Sequence, residues 1–124
     1  MLGDVDAALK DFNACLAIAP EFVYAYYDRG VLLANEKKYQ DAIKDYGKAI
    51  ELEPEFVHCY VARGEAYVEL GDPQRALDDF NRALELDPDY TDAYYYRAAA
   101  YRALGDERAA NADLREARSL GVEE

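Results

Sequence analysis

The groups able to do covalent chemistry are few and scattered. The chain has one histidine, His58, and one serine, Ser119, far apart in sequence. A hydrolytic nucleophile needs a base beside it, held by a third group. His58 and Cys59 are adjacent, but consecutive side chains on a helix point about 100° apart and do not face each other. The cysteines, Cys15 and Cys59, stand 44 residues apart, without the dense spacing of a zinc site or a disulfide framework. They read as small buried apolar side chains, which suits a reducing compartment. Asp78-Asp79 and Asp87-Pro88-Asp89 bring carboxylates together. Calcium loops, however, set oxygens at alternating positions around a glycine turn, and Asp78 and Asp79 fall in mid-helix. The glycines do not cluster into a phosphate-binding loop. The sequence predicts no enzyme, no cofactor and no metal.

The composition points to a partner instead. The chain has 124 residues, 26 acidic and 14 basic side chains, and a net charge of −12. Nucleic acid binds through counterions displaced by Lys and Arg, so this charge opposes it. A basic or apolar protein segment fits better. No apolar run approaches the ~20 residues of a membrane helix, and Met1-Leu2-Gly3-Asp4-Val5-Asp6 lacks the basic and apolar regions of a secretory leader. The expectation is a cytoplasmic protein that neither enters a membrane nor binds nucleic acid.

The elements that position these residues repeat. Pro20, Pro54 and Pro88 recur at steps of 34 residues. The same step carries Asp11 to Asp45, Asp79 and Asp113, and Ala8 to Ala42, Ala76 and Ala110. It carries Phe12 to Tyr46, Phe80 and Leu114, and Arg29 to Arg63 and Arg97. Tyr26 recurs as Tyr60 and Tyr94, and Gly30 as Gly64 and then Ala98. Each unit reads as two helices. In the third, residues 56–70 place Tyr60, Arg63, Gly64 and Tyr67 on one face, and Gly71-Asp72-Pro73 ends that helix and opens the next. Residues 74–86 then present Ala76, Leu77, Phe80, Ala83 and Leu84, closed by Asp87-Pro88. Mid-helix glycine costs about 1 kcal/mol against alanine, so Gly30 and Gly64 mark a close helix approach.

These registers resemble the tetratricopeptide repeat. The second unit supplies Tyr26, Arg29, Gly30, Leu33, Ala42, Tyr46, Ala49 and Pro54. The third supplies Tyr60, Arg63, Gly64, Tyr67, Ala76, Phe80, Ala83 and Pro88. The fourth supplies Tyr94, Arg97, Ala98, Tyr101, Ala110, Leu114 and Ala117, with Val122 where the proline would stand. The resemblance implies an all-α solenoid of antiparallel helix pairs in a right-handed superhelix. One domain spans residues 1–124: a half repeat over 1–20, then repeats over 21–54, 55–88 and 89–122. Residues 1–20 match only a second helix, which leaves Leu9, Phe12 and Leu16 short of a neighbour and suggests a cut from a longer array. The last helix, Glu107 to Ser119, is polar enough to cap the array.

The resemblance also implies a site. First helices line a concave groove in this family. The corresponding positions are Tyr24, Tyr27, Asp28, Val31, Ala34 and Asn35; then His58, Val61, Ala62, Glu65, Val68 and Glu69; then Asp92, Tyr95, Tyr96, Ala99, Arg102 and Ala103. Tyr24, Tyr27, Tyr95 and Tyr96 are expected to be exposed there, and Tyr26, Tyr60, Tyr67, Tyr94 and Tyr101 to pack between helices. The acids Asp28, Glu65, Glu69 and Asp92 favour a basic ligand. Repeats that clamp acidic chaperone tails use Lys, Arg and Asn where this chain has Tyr27, Val31, Ala62, Asp92 and Tyr96, so such tails are not expected to bind. First helices in the family pack on the preceding second helix, which predicts an inter-repeat ladder of Asp11–Arg29, Asp45–Arg63 and Asp79–Arg97. The leading expectation is a scaffold holding a peptide or protein segment. The rivals are homodimerisation through residues 1–20 and a regulatory piece of a larger enzyme.

Overall fold

The structure is a computed structural model that describes residues 2–121, with side chains from residue 4. Met1 and Val122, the register that would carry a fourth repeat proline, lie outside the described residues. Among the described residues seven helices follow one another: α1 (Leu2–Ile18), α2 (Val23–Asn35), α3 (Tyr39–Leu52), α4 (Val57–Glu69), α5 (Pro73–Leu86), α6 (Thr91–Ala103) and α7 (Glu107–Gly121). This is the expected all-α repeat solenoid. The pairs α2·α3, α4·α5 and α6·α7 pack tightly, and α1 packs on α2. Across repeats, α2 touches α4 and α4 touches α6, whereas α3 and α5, or α5 and α7, do not meet. First helices therefore crowd the inner side and second helices splay apart on the outer side. That is the curvature of a groove.

Volume complementarity sets the pairing inside each repeat. Ala42, Ala49, Ala76, Ala83, Ala110 and Ala117 are all fully buried, so the second helix can approach closely. A Cβ added to Gly30 would lie 2.6 Å from Tyr46 Cε1, and one added to Gly64 would lie 2.5 Å from Phe80 Cε1. Neither gap admits a methyl. In the last pair the same registers hold Ala98, which is buried, and Leu114, a smaller side chain than the ring it replaces.

The arginine and aspartate rows do pair, but not as the sequence reading placed them. Arg29 bonds Asp45 at 2.8 and 2.7 Å, Arg63 bonds Asp79 at 2.9 and 2.8 Å, and Arg97 bonds Asp113 at 2.9 and 2.7 Å. Each bidentate pair joins the two helices of one repeat. The expected pairing of Asp11 with Arg29, Asp45 with Arg63 and Asp79 with Arg97 is thus corrected by one register. The reason is geometric: the second helix returns antiparallel against its own first helix, and sixteen residues bring Asp back level with Arg. What does cross between repeats is amide: Arg29 Nη1 donates to Asn13 at 2.7 Å, and Arg97 Nη1 donates to Asn81 at 2.9 Å. Gly47 stands at the register between them.

Each arginine is held on its other side too. Its guanidinium lies 5.5–6.0 Å from the ring of Tyr26, Tyr60 or Tyr94, a cation–π contact. Those tyrosine hydroxyls donate to the carbonyls of Pro20, Pro54 and Pro88 at 2.9–3.1 Å. These tyrosines are structural, as their registers suggested. The Asp45, Asp79 and Asp113 carboxylates are nearly sealed from water. Burial pushes the Asp79 carboxyl up, against the pull of Arg63, and the Asp79 bonds raise Arg63 in turn.

The turns between paired helices share one backbone form. Gly71 and Gly105 sit at φ +82° and +83°, and Lys37 takes the same left-handed form at φ 63°. In each turn the next amide, of Lys38, Asp72 or Asp106, donates back to Leu33, Tyr67 or Tyr101. Asp72 and Asp106 then cap the following helix through Arg75 and Ala109 N–H; Lys38 has no such side-chain bond.

Candidate binding groove

The inner face carries two adjoining clefts. The larger, about 390 Å³, is lined by Tyr27, Val31, Ala34 and Asn35 of α2, Ala62, Glu65, Ala66 and Glu69 of α4, and Tyr39 and Tyr46 of α3. The smaller, about 120 Å³, adds Val68, Tyr96 and Ala99 over Phe80, sharing Glu65 and Glu69. Seven of the residues expected in the groove line the larger cleft, and Val68, Tyr96 and Ala99 line the smaller. Among the described residues, the only charged side chains lining either are Glu65 and Glu69, both acidic.

Other expected contacts fall elsewhere. Val61 is 4% exposed and belongs to the core, so its assignment to the groove is corrected: α4 turns that position inward between its neighbours. Arg102 lines neither cleft. It reaches over α7, with Nε 3.3 Å from Glu107 and Nη2 3.4 Å from Asn111. Asp28, Asp92 and Tyr95 are exposed and line neither cleft. Tyr24 and His58 sit at the rim.

That rim is a feature the sequence reading missed. Phe22, Phe56 and Tyr90 stand at the N-cap positions of α2, α4 and α6. Tyr24 lies edge-on to Phe22 and Phe56, with ring centroids 6.3 and 5.4 Å apart. Tyr27 meets Phe56 at 5.2 Å, and His58 meets Tyr90 at 5.5 Å. His58 Nδ1 lies 2.7 Å from the Tyr90 hydroxyl. The signal was present: Phe22, Phe56 and Tyr90 recur at the repeat step. As isolated aromatics just before helices they carried no mark of being a continuous strip.

Electrostatics shape the groove. Burial raises the Tyr27 and Tyr96 phenols and pushes Tyr90 up to about 12, with neighbouring carboxylates adding to each. All three stay protonated donors at neutral pH. Glu65 is raised by surrounding protein, with Asp92 and Glu69 adding and the Tyr96 hydroxyl opposing, although its side chain keeps contact with solvent. A cation placed there would relieve the repulsion among these carboxylates.

Neither cysteine joins a site. Cys59 is fully buried, and burial pushes its thiol up to about 12. Cys15 is half-buried, a departure from the expected burial: among the described helices only α2 packs on α1. Asp79 is taken by Arg63, and Asp87 accepts the Asp89 N–H in a local turn. Among the described residues, no group of three or more His, Cys, Asp or Glu side chains converges on a metal-sized space. No helix of the described residues is long and apolar enough to cross a membrane.

Known proteins share this architecture. A crystal structure of MamA superposes with a TM-score of 0.90 at 26% identity, over 95% of this chain and 69% of that one. The first TPR of Spaghetti (RPAP3), bound to the HSP90 peptide SRMEEVD, gives 0.79 at 28% identity, over 82% of this chain and 81% of that one. The Arabidopsis OM64 TPR domain gives 0.78 at 27% identity, over 82% of this chain and 84% of that one. No curated protein matches by sequence. The family model described as tetratricopeptide repeat matches residues 23–56, and that described as TPR repeat matches residues 64–105. The first match spans the α2·α3 pair, the second runs from within α4 through α5 and α6, and together with the clamp repeated in each pair they show that the chain belongs to the tetratricopeptide repeat family of protein-interaction modules.

Proposed function

We propose that the protein holds a basic, partly apolar segment of another polypeptide in its concave groove. The observation that carries this reading is the larger cleft: an apolar and tyrosine floor whose only charged lining residues, among those described, are Glu65 and Glu69. Tyrosine gives contact area at small entropic cost and keeps a hydroxyl for hydrogen bonding. A Lys or Arg on the ligand would meet Glu65 and Glu69, while aliphatic side chains would lie on Val31, Ala62 and Tyr46. Acidic tails are disfavoured. The RPAP3 neighbour holds a peptide containing Glu-Glu and Asp. Here Glu65 and Glu69 would repel such a ligand, and Asp92 stands exposed nearby.

A peptide-display selection tests the reading. Wild-type protein and a Tyr27→Ala, Tyr96→Ala variant of matched stability are each panned against one random library. Enrichment of Lys- or Arg-containing sequences by the wild type, lost with the variant, is the expected result. Acidic sequences enriched by the wild type and lost with the variant, or basic sequences enriched equally by both proteins, overturn it.

A further inference from the structure

The geometry points to a second docking surface, between α3 and α5, that takes an acidic, partly apolar segment of another polypeptide. A cleft of about 460 Å³ opens there, lined also by the C-terminal end of α4. Ile43, Tyr67 and Leu70 give it an apolar wall, with Leu70 42% exposed. Lys44 projects from α3 and Arg75 from α5, both exposed. A flanking cleft of about 330 Å³ shares Gln40 and Leu70 with the first and adds Lys37 and Lys38. The acids lining the two clefts are Asp41 and Asp72, so bases are in excess here, in a chain of net charge −12. Among the described residues, Lys37, Lys38 and Lys44 form no ion pair. Arg75 lies 6.0 Å from the Tyr67 ring and has only a long, exposed contact with Asp72, at 3.6 Å.

The repeat supplies its own control. One step further along, Ile43, Tyr67 and Leu70 become Leu77, Tyr101 and Leu104, so the apolar wall belongs to the repeat. The bases do not: Lys37, Lys38, Lys44 and Arg75 become Gly71, Asp72, Asp78 and Ala109. Two of them stand where the local structure favours another residue. Lys37 holds a left-handed backbone at φ 63°, the form that Gly71 and Gly105 adopt without a Cβ. Lys38 replaces the aspartate that caps the next helix at Asp72 and Asp106, and makes no capping bond. Local rules broken with no gain in packing mark a site shaped by what it meets. Carboxylates answer the bases, and a Leu or Phe side chain answers the wall. A nucleic acid carries a phosphate at every nucleotide and would run onto the acidic surface around the patch. The larger cleft shares no residue with the concave groove, and the flanking one shares only Tyr39. Glu65 and Glu69 turn acidic segments away from the groove, so the two faces sort ligands by charge.

The test pans a random peptide library on the full 124-residue protein carrying Tyr27→Ala and Tyr96→Ala. Sequences combining Asp or Glu with Leu or Phe should be enriched. One such peptide, made fluorescent, is then titrated by anisotropy. Wild type and Tyr27→Ala should bind it equally. Lys37→Gly, Lys38→Asp, Lys44→Asp and Arg75→Ala together should weaken it roughly tenfold or more. Each of these changes installs the residue found one repeat step later, so the variant should fold, which urea denaturation checks. No enrichment of acidic sequences, or equal binding by the four-substituted protein, overturns the inference. So does tighter binding of a polythymidylate strand than of the peptide, which would make the patch a nucleic-acid site. A dimer, by sedimentation, that the four substitutions abolish also overturns it, since the occupant is then a second copy.

Discussion

The helix pair α4–α5 and the pair α6–α7 solve one packing problem in two ways. Both keep the Arg–Asp clamp and the Tyr–Pro tie. They differ at one pair of registers: Gly64 lies against a fully buried Phe80 in one, and Ala98 and a partly buried Leu114 stand at those registers in the other. A methyl is gained on one helix as the aromatic ring is given up on the other. What the fold demands at this register is a summed volume, not a residue. The clamp has no such latitude, because only a planar guanidinium matches a carboxylate with two parallel bonds.

The largest effect should come from emptying the aromatic position. Phe80→Ala is expected to lower unfolding free energy by about 3–5 kcal/mol, and Leu114→Ala by about 2 kcal/mol, since Leu114 is smaller and only partly buried. Urea denaturation of the two variants measures the difference; equal losses would mean the two interfaces are not distinct. Breaking the shared clamp should erase the distinction between repeats. Asp79→Ala and Asp113→Ala should each cost roughly 3 kcal/mol by leaving an arginine without its partner, discounted for that arginine's partial exposure. A markedly smaller loss for Asp113 would show the last repeat to be frayed.

The volume rule itself is open to a double-substitution test. Gly64→Ala alone should cost about 1–3 kcal/mol by overpacking against Phe80. In the Phe80→Leu background the same change should cost nothing or stabilise, reproducing the Ala98–Leu114 pair. Additive effects would refute the rule. The turns offer a smaller contrast. Lys37 occupies the backbone form that Gly71 and Gly105 take freely. Lys37→Gly should stabilise by about 1 kcal/mol, read as a higher urea midpoint.

The inner face differs as well, with Glu65 in one repeat where Ala99 stands in the next. Because the folded state raises the Glu65 carboxyl, its destabilising effect appears as pH rises above the ordinary carboxylate range and vanishes below it. Glu65→Gln should therefore raise stability at pH 7, within about 0.5 kcal/mol, and change nothing at pH 3. The same substitution should weaken a Lys- or Arg-containing ligand about two- to fivefold. Greater stability with undiminished binding would separate the carboxylate from recognition.

The sequence by itself determined the repeat, its period and both helix faces. Proline, glycine and alanine have strict local requirements, and those requirements recur at one step. It also marked Tyr27, Val31, Glu65, Glu69 and Tyr96 as groove positions, through the resemblance. Which arginine meets which aspartate was beyond it, because residues 18 apart across a repeat boundary and 16 apart within a repeat are equally regular in sequence. Only the antiparallel return of the second helix chose between them. The burial of Val61, the reach of Arg102 toward α7 and the joining of Phe22, Tyr24, Phe56, His58 and Tyr90 into one strip also depend on how far each helix turns about its axis. That rotation is fixed by packing against neighbours distant in the chain, and no local pattern encodes it.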